Sequence, residues 1–172
     1  MKSALIVIDL QNDYFAGGRF PLWNAQATLQ KTLQAMAKAQ AEDIPIVLVK
    51  HIAKAPRGVA PFFDASTKGA DIHPDILSLA SAAPIVVKHV ADAFFETNLS
   101  ITLENLGAKK LTICGMMTQN CVTHTAISTA AEQYRIQILT DCCTTVSEMI
   151  HKIALSAFKS RPKIELITTD EF

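Results

Sequence analysis

Short apolar runs recur along the chain and predict six β-strands. Most of these runs are continuously hydrophobic and do not alternate with polar positions, which is typical of parallel strands covered by helices on both faces. Polar or glycine-containing segments separate them. The predicted strands are Ala4–Leu10, Ile44–His51, Pro84–His89, Lys110–Gly115, Ile136–Asp141 and Ile164–Thr168.

Helical patterns lie between these strands. Apolar residues spaced i, i+4 and i+7 predict one helix after a candidate cap at Asn24 and another between Thr97 and Gly107. A helix rich in small residues is predicted after Cys121, and a last helix precedes the final strand. This alternation predicts a three-layer α/β/α fold, Rossmann-like, with a doubly wound, six-stranded parallel sheet. The length of 172 residues predicts a single domain over residues 1–172.

The segment from Ile52 to Ala83 does not fit this alternation. It is long and broken by prolines and glycines, with one short helix predicted over Pro74–Leu79. Long loops inside compact folds are often functional lids. We therefore expect this segment to lie over a site.

Composition narrows the class of protein. The formal net charge is zero, which argues against nucleic acid or an anionic membrane as a partner held by bulk charge. The short apolar run after Lys2 lacks the features of a signal peptide, and no stretch approaches the length of a membrane span, so we expect a cytoplasmic protein. Four cysteines in a chain of this size do not indicate a disulfide framework.

Three reactive side chains fall at the carboxyl ends of predicted strands. Asp9 closes the first strand, Lys88 closes the third, and Cys121 follows the fourth. Sites in parallel sheets form at this edge. Together these residues could form a nucleophilic centre in which Asp9 accepts the thiol proton and Lys88 stabilises the thiolate.

The position of Cys121 after a strand places its thiol near a predicted helix N-terminus. Unpaired N–H groups there could stabilise a thiolate and hold an oxyanion, so we expect a lowered pKa for Cys121. Taken singly, each residue also has a structural interpretation. Asp9 could cap a turn, Lys88 could extend into solvent, and Cys121 could be an inert buried thiol.

A set of short segments along nearly the whole chain matches the pattern of a known family. The segments are Ala4 to Phe15, Lys88 with Phe94 and Thr97-Asn98-Leu99, Gly115-Met116-Met117-Thr118, Cys121-Val122, Thr125-Ala126, and Asp141. With them the sequence resembles the isochorismatase-like cysteine hydrolase family, which includes nicotinamidase-related amidases. The resemblance implies a catalytic triad of Asp9, Lys88 and Cys121, and a non-proline cis peptide between Met116 and Met117. It also implies an oxyanion hole formed by the N–H groups of Met117 and Cys121, and a homo-oligomer.

Metal dependence is not expected. Some nicotinamidases carry an Asp-x-His motif after the second strand, whereas this chain has Val49-Lys50-His51-Ile52-Ala53 there. Zinc needs three or four convergent ligands. His51 and His73 remain the alternative ligands if the loop brings them together. The prediction is a site without metal or other cofactor.

Cleavage of a small amide, or a related carbonyl compound, by Cys121 is the leading functional interpretation. Hydrolysis of an isochorismate-type vinyl ether with Asp9 as the acid is an alternative, because it does not demand a thiol. A non-catalytic binding subunit is the second alternative. The residues predicted to line the substrate pocket are Gln11, Phe15, Trp23, Phe62, Phe94 and His124.

Overall fold

The fold is built on one six-stranded sheet in which every strand pair is parallel. A computed structural model of the chain describes all 172 residues. The strand order across the sheet is β3-β2-β1-β4-β5-β6, with helices on both faces, which confirms the predicted α/β class. The strands are β1 (Ser3–Ile8), β2 (Ile46–His51), β3 (Ile85–Lys88), β4 (Lys110–Met116), β5 (Arg135–Thr144) and β6 (Ile164–Ile167).

Five α-helices connect the strands. Shorter turns supplement them, of which a π-helical turn over Thr118–Val122 bears on the site. No helix is both long and apolar enough to cross a membrane. The helices are α1 (Ala25–Ala41), α2 (Pro74–Leu79), α3 (Leu99–Leu106), α4 (Thr123–Ala126) and α5 (Glu148–Phe158).

Burial along the strands follows their place in the sheet. In β1, which lies between β2 and β4, five consecutive residues from Ala4 to Ile8 are buried, as expected for a strand with helices on both faces. The edge strand β3 alternates, so that Ile85 and Val87 are exposed while Val86 and Lys88 are buried. The continuous apolar run of β3 therefore does not mean burial on both faces.

Helix ends agree with the sequence in part. Gly107 ends α3 with a positive φ of 67°, a conformation that glycine adopts readily. Thr97 accepts a hydrogen bond from the Leu99 N–H, while Asn98 is the capping position. Asn24 precedes α1 as predicted, but its side chain makes no capping hydrogen bond.

The helix predicted after Cys121 is shorter than expected. The chain forms the π-helical turn first, and α4 then has only four residues. A side-chain bond from Thr123 Oγ1 to the Thr118 carbonyl, at 2.6 Å, competes here with regular backbone pairing. A separate 3₁₀ turn over Thr129–Gln133 follows α4.

The long segment between β2 and β3 is tied to the loop after β1. The buried Asp13 carboxylate accepts hydrogen bonds from the Phe63 N–H at 2.7 Å and the Arg19 N–H at 3.1 Å. Arg19 pairs in turn with Asp64 at 2.6 Å. These contacts hold the segment at the carboxyl-end edge of the sheet, where the predicted site lies.

Candidate active site

Asp9, Lys88 and Cys121 meet at the carboxyl ends of β1, β3 and β4. The Lys88 Nζ atom lies 2.8 Å from Asp9 Oδ2 and 3.1 Å from Cys121 Sγ. Asp9 and Lys88 are fully buried, and Cys121 is 1% exposed. The strand order brings together three residues that are far apart in sequence.

The backbone at this corner has unusual conformations. Asp9 has a φ of 54°, in the left-handed region that few non-glycine residues adopt. Gly115 has a φ of 130°, and a Cβ atom there would collide with the Ile8 backbone. Glycine is therefore required where β4 passes the end of β1. The Met116–Met117 peptide bond is cis, and the Met117 N–H donates to no acceptor within the protein.

Four atoms surround the Lys88 ammonium group. Besides Asp9 and Cys121, Nζ lies 2.8 Å from His51 Nδ1 and 3.1 Å from the Val90 carbonyl oxygen. The contact with Asp9 Oδ2 is a buried ion pair, and no backbone N–H group donates to either Asp9 oxygen. His51 Nδ1, the Val90 carbonyl and Cys121 Sγ are the other partners of the ammonium.

Charge and burial set the protonation states of these groups. Burial raises the pKa of Cys121, the Asp9 charge raises it further, and Lys88 opposes both effects. The expectation of a lowered Cys121 pKa is therefore wrong, because burial outweighs the nearby cation and α4 is too short to help. Burial disfavours the Lys88 ammonium, but Asp9 and Cys121 outweigh it and raise the pKa of Lys88. The resting site holds a thiol beside an ion pair.

His51 stays neutral in this environment. Burial and the Lys88 charge lower the pKa of His51 to about 4, although Asp9 acts in the opposite direction. Because a charged lysine can only donate, His51 Nδ1 must be the acceptor in their contact, and the ring proton resides on Nε2.

Asp9, His51 and Cys121 each offer a donor atom within 4.8 Å of one another, as a bound cation would need. The Lys88 ammonium contacts all three residues and so occupies the position that such a cation would take. His73, the other suggested ligand, uses its Nδ1 to accept from the Asp75 N–H at the start of α2. The arrangement fits a lysine better than a metal, and metal independence stays a prediction.

The prediction that the Gln11 side chain forms a polar wall of the pocket does not agree with the structure. Its side chain is buried and fully engaged with backbone groups. Oε1 accepts from the His51 N–H at 2.7 Å, and Nε2 donates to the His51 and Ala70 carbonyls at 2.8 and 2.7 Å. No N–H donor is left for a substrate, because an amide has only two N–H groups.

The predicted aromatic lining residues separate into two groups. Phe62 packs against Tyr14, with ring centroids 5.1 Å apart, in a cluster that also contains Phe63. Phe63 in turn lies against the His51 ring at 5.9 Å. Phe62 therefore belongs to the aromatic side of the site. Phe94 is buried and stacks on Tyr134 at 6.2 Å, which is a core contact.

The remaining predicted lining residues make their contacts with other parts of the fold. Phe15 is buried and packs on His73 with ring centroids 4.6 Å apart. Trp23 is 38% exposed and faces His151 at 6.0 Å. His124 is exposed, and its Nδ1 contacts the Asn120 carbonyl at 2.8 Å. None of these contacts involves Asp9, Lys88 or Cys121.

Two residues of the site were not assigned to it from the sequence. His51, which we considered only as a metal ligand, ends β2 and pairs in register with Lys88. The same strand-end argument that selected Asp9 and Lys88 could have selected it. Tyr14 is buried and packs 4.6 Å from the Phe63 ring, which lies against His51, and burial together with the charges of Asp9 and Cys121 raises its pKa. No sequence signal distinguished Tyr14 from a core aromatic residue.

Comparison with known proteins gives one consistent family. The family model described as Isochorismatase domain matches residues 3–171. The chain is 34% identical over 150 residues to the uncharacterized isochorismatase family protein YddQ of Bacillus subtilis, covering 87% of this chain and 82% of that protein. It is also 34% identical over 139 residues to the secreted isochorismatase effector Isc1 of Verticillium dahliae, covering 81% and 70%.

A solved structure shares the fold over the full chain. N-carbamoylsarcosine amidase from Thermoplasma acidophilum superposes with a TM-score of 0.87 at 22% identity, covering 100% of this chain and 99% of that chain. At this level of identity the likeness is one of fold.

Proposed function

This chain belongs to the isochorismatase family of hydrolases, and we propose that it cleaves a small amide through Cys121. In this proposal residues 1–172 form a single hydrolase domain that needs no cofactor. Asp9 is the general base and acid, and Lys88 stabilises the thiolate. One protein that shares this fold is an amidase, and this supports an amide substrate.

One observation carries the proposal. Asp9 is fully buried, with the Lys88 ammonium 2.8 Å from Oδ2 and no backbone N–H group donating to either oxygen. A carboxylate that has no backbone donors keeps the capacity to accept a proton. Such a carboxylate beside a thiol, with both in contact with one ammonium group, suits a base that must take up and return a proton.

Acylation begins with proton transfer from Cys121 Sγ to Asp9. The thiolate, held by Lys88 at 3.1 Å, attacks the amide carbonyl carbon and forms a C–S bond. Negative charge moves to the carbonyl oxygen, which the N–H groups of Met117 and Cys121 stabilise. The free Met117 N–H supports this assignment. The C–N bond then breaks, and the leaving amine takes its proton from Asp9.

Deacylation uses the same groups in the reverse order. Asp9, again a carboxylate, removes a proton from water, and the hydroxide attacks the thioester carbonyl. The C–S bond breaks, the thiolate returns to the Lys88 ammonium, and Asp9 gives its proton to sulfur. The net change is amide plus water to carboxylic acid plus amine, and the enzyme returns to its resting state.

The contacts of Arg19 disfavour it as a ligand for a dicarboxylate substrate. Arg19, in the loop after β1, pairs with Asp64 at 2.6 Å and also donates to the Ala60 carbonyl. An arginine committed in this way is not free to bind a substrate carboxylate such as that of isochorismate. The vinyl ether reaction becomes an outcome of the test below.

We also propose that the protein is a homo-oligomer. Five exposed apolar side chains come from one stretch that runs from β3 into α3, and exposed apolar patches mark interaction sites. Sedimentation of the wild type and of Val87→Lys should give a smaller assembly for the variant; equal masses would contradict this interface. The five residues are Ile85, Val87, Val90, Phe95 and Ile101. The cytoplasmic location of the protein also stays a prediction.

A panel of small amides and one vinyl ether tests the function. We expect ammonia or amine release from at least one amide, and none from the Cys121→Ala variant. Cys143→Ala is the matched control, because Cys143 is also a buried thiol but has no contact with Lys88. Turnover of the vinyl ether alone, retained in Cys121→Ala, would instead favour acid catalysis by Asp9. No turnover of any compound would favour a binding subunit.

A further inference from the structure

His51 occupies a place in the site that the proposed mechanism does not use. It ends β2 in register with Lys88, so the two side chains extend from neighbouring strands on the same face of the sheet. The resulting contact between His51 Nδ1 and Lys88 Nζ is 2.8 Å long, shorter than the 3.1 Å contact between Lys88 and Cys121.

The backbone of His51 is held on both sides by one side chain. Gln11 accepts from the His51 N–H and donates to the His51 carbonyl, at 2.7 and 2.8 Å. The remaining amide proton of Gln11 donates to Ala70 in the long segment between β2 and β3. The Phe63 ring packs near the imidazole as well. Contacts within the protein therefore fix the position of His51 as an acceptor.

The orientation of the ammonium group depends on such an acceptor. Lysine rotates freely about its last bond and has three N–H groups. The bonds to His51 and to the Val90 carbonyl fix two of them, and the third then points at Cys121 Sγ. Asp9 Oδ2 lies 2.8 Å from Nζ as its ion partner and attracts the charge.

We propose that His51 is a positioning residue, which directs one Lys88 N–H at Cys121 by accepting another at Nδ1. Without this acceptor, one N–H group loses its partner and the ammonium can rotate away from the sulfur. The catalytic meaning of this role rests on the proposed function, but the orientation of Lys88 does not. It can be measured through the thiol without any substrate.

The test follows alkylation of Cys121 by iodoacetamide in the full-length protein, mapped by mass spectrometry. All variants carry Asp9→Asn, because the Asp9 charge raises the pKa of Cys121 and its removal brings the thiolate toward the measurable range. Adding His51→Leu should lower the alkylation rate at pH 8 by about threefold or more, since the thiolate loses its oriented N–H donor. Adding His51→Asn, whose Oδ1 can take the place of Nδ1, should largely restore the rate.

The conservative variant separates positioning from packing. Equal rates in His51→Leu and the parent, or equal losses in His51→Leu and His51→Asn, would overturn the proposal. His89→Leu is the control, because His89 neighbours Lys88 in sequence but contacts the Ile52 carbonyl. If His51→Leu does not fold, His51→Ala removes the same acceptor. Because no substrate is used, a protein that fails the amide panel can still pass or fail this test.

Discussion

Cys121 and Cys143 are two buried thiols at the carboxyl-end edge of neighbouring strands, and they differ in their surroundings. Cys121 is 1% exposed and follows β4, while Cys143 is 3% exposed and lies in β5, paired with Gly115. Burial raises the pKa of both. Only Cys121 contacts an ammonium group, which is itself paired with the Asp9 carboxylate.

The proposed mechanism distinguishes the two thiols by their neighbours. A low resting pKa does not distinguish them, because neither thiol has one. In the proposal, Asp9 receives the proton of Cys121 and Lys88 stabilises the sulfur anion that remains. The thiolate then forms only while Asp9 holds the proton, so the effects of substitutions at Asp9 and Lys88 should be coupled.

The largest expected effect is on turnover by the Asp9 and Lys88 variants. Asp9→Asn keeps the side-chain shape but removes the base, so kcat should fall by at least about 10²-fold. Lys88→Met should also lower kcat, because the thiolate loses its cation. Since both residues act on one proton transfer, the double variant should be little worse than the worse single variant.

Steady-state kinetics of the four proteins on an amide substrate measure this coupling. Losses that multiply in the double variant would mean that Asp9 and Lys88 have unconnected roles. Near-normal turnover in Asp9→Asn would remove the general base from the mechanism. The same variants should leave the thermal unfolding of the protein cooperative, which checks that the fold survives the loss of a buried partner.

Alkylation provides a second contrast between the two thiols. Asp9→Asn should raise the iodoacetamide rate at Cys121 by about tenfold or more near pH 8, because it removes a charge that disfavours the thiolate. Lys88→Met should lower that rate. Cys143 should respond to neither, since Asp9 and Lys88 are not among the groups that shift its pKa. A parallel rise at Cys143 would show that the variant opens the core.

The edge of the sheet that carries the site could be predicted from sequence, because strand ends follow from hydrophobic runs. That argument placed Asp9, Lys88 and Cys121 together, and their contacts in the structure match it. The same argument applied to β2 adds His51. A histidine in a hydrolase sequence suggests a metal ligand first, whereas its role as an acceptor for lysine depends on the register of β2 and β3.

Other features depend on contacts that a sequence does not encode locally. The pairing of Gln11 with the His51 backbone joins positions 40 residues apart, so its polarity alone suggested a pocket wall. The pKa of Cys121 depends on a balance between burial and two opposite charges. The Thr123 side chain bonds to the Thr118 carbonyl at the start of the short α4, whereas a stripe of small residues is compatible with any helix length.

The smallest expected effect is on stability in acid, and it concerns His51 beside the Lys88 ammonium. His51 has a pKa of about 4 in the folded protein, lowered first by burial and then by Lys88, against about 6.5 when unfolded. The unfolded chain therefore binds the proton more readily. The stabilising effect of a neutral His51 is complete above pH 6.5 and is lost as the pH falls toward 4.

Urea unfolding of the wild type and His51→Asn between pH 7 and 4 measures this contribution. The wild type should lose on the order of 1 kcal/mol more stability than the variant by pH 5, because asparagine has no proton to gain. His124→Asn, which replaces an exposed histidine on α4, should follow the wild type. Parallel curves for wild type and His51→Asn would mean that solvent reaches the imidazole and Lys88 does not hold it neutral. In that case His51 would be a surface residue at the rim of the site, and the contrast between the Cys121 corner and the Cys143 region would rest on Asp9 and Lys88 alone.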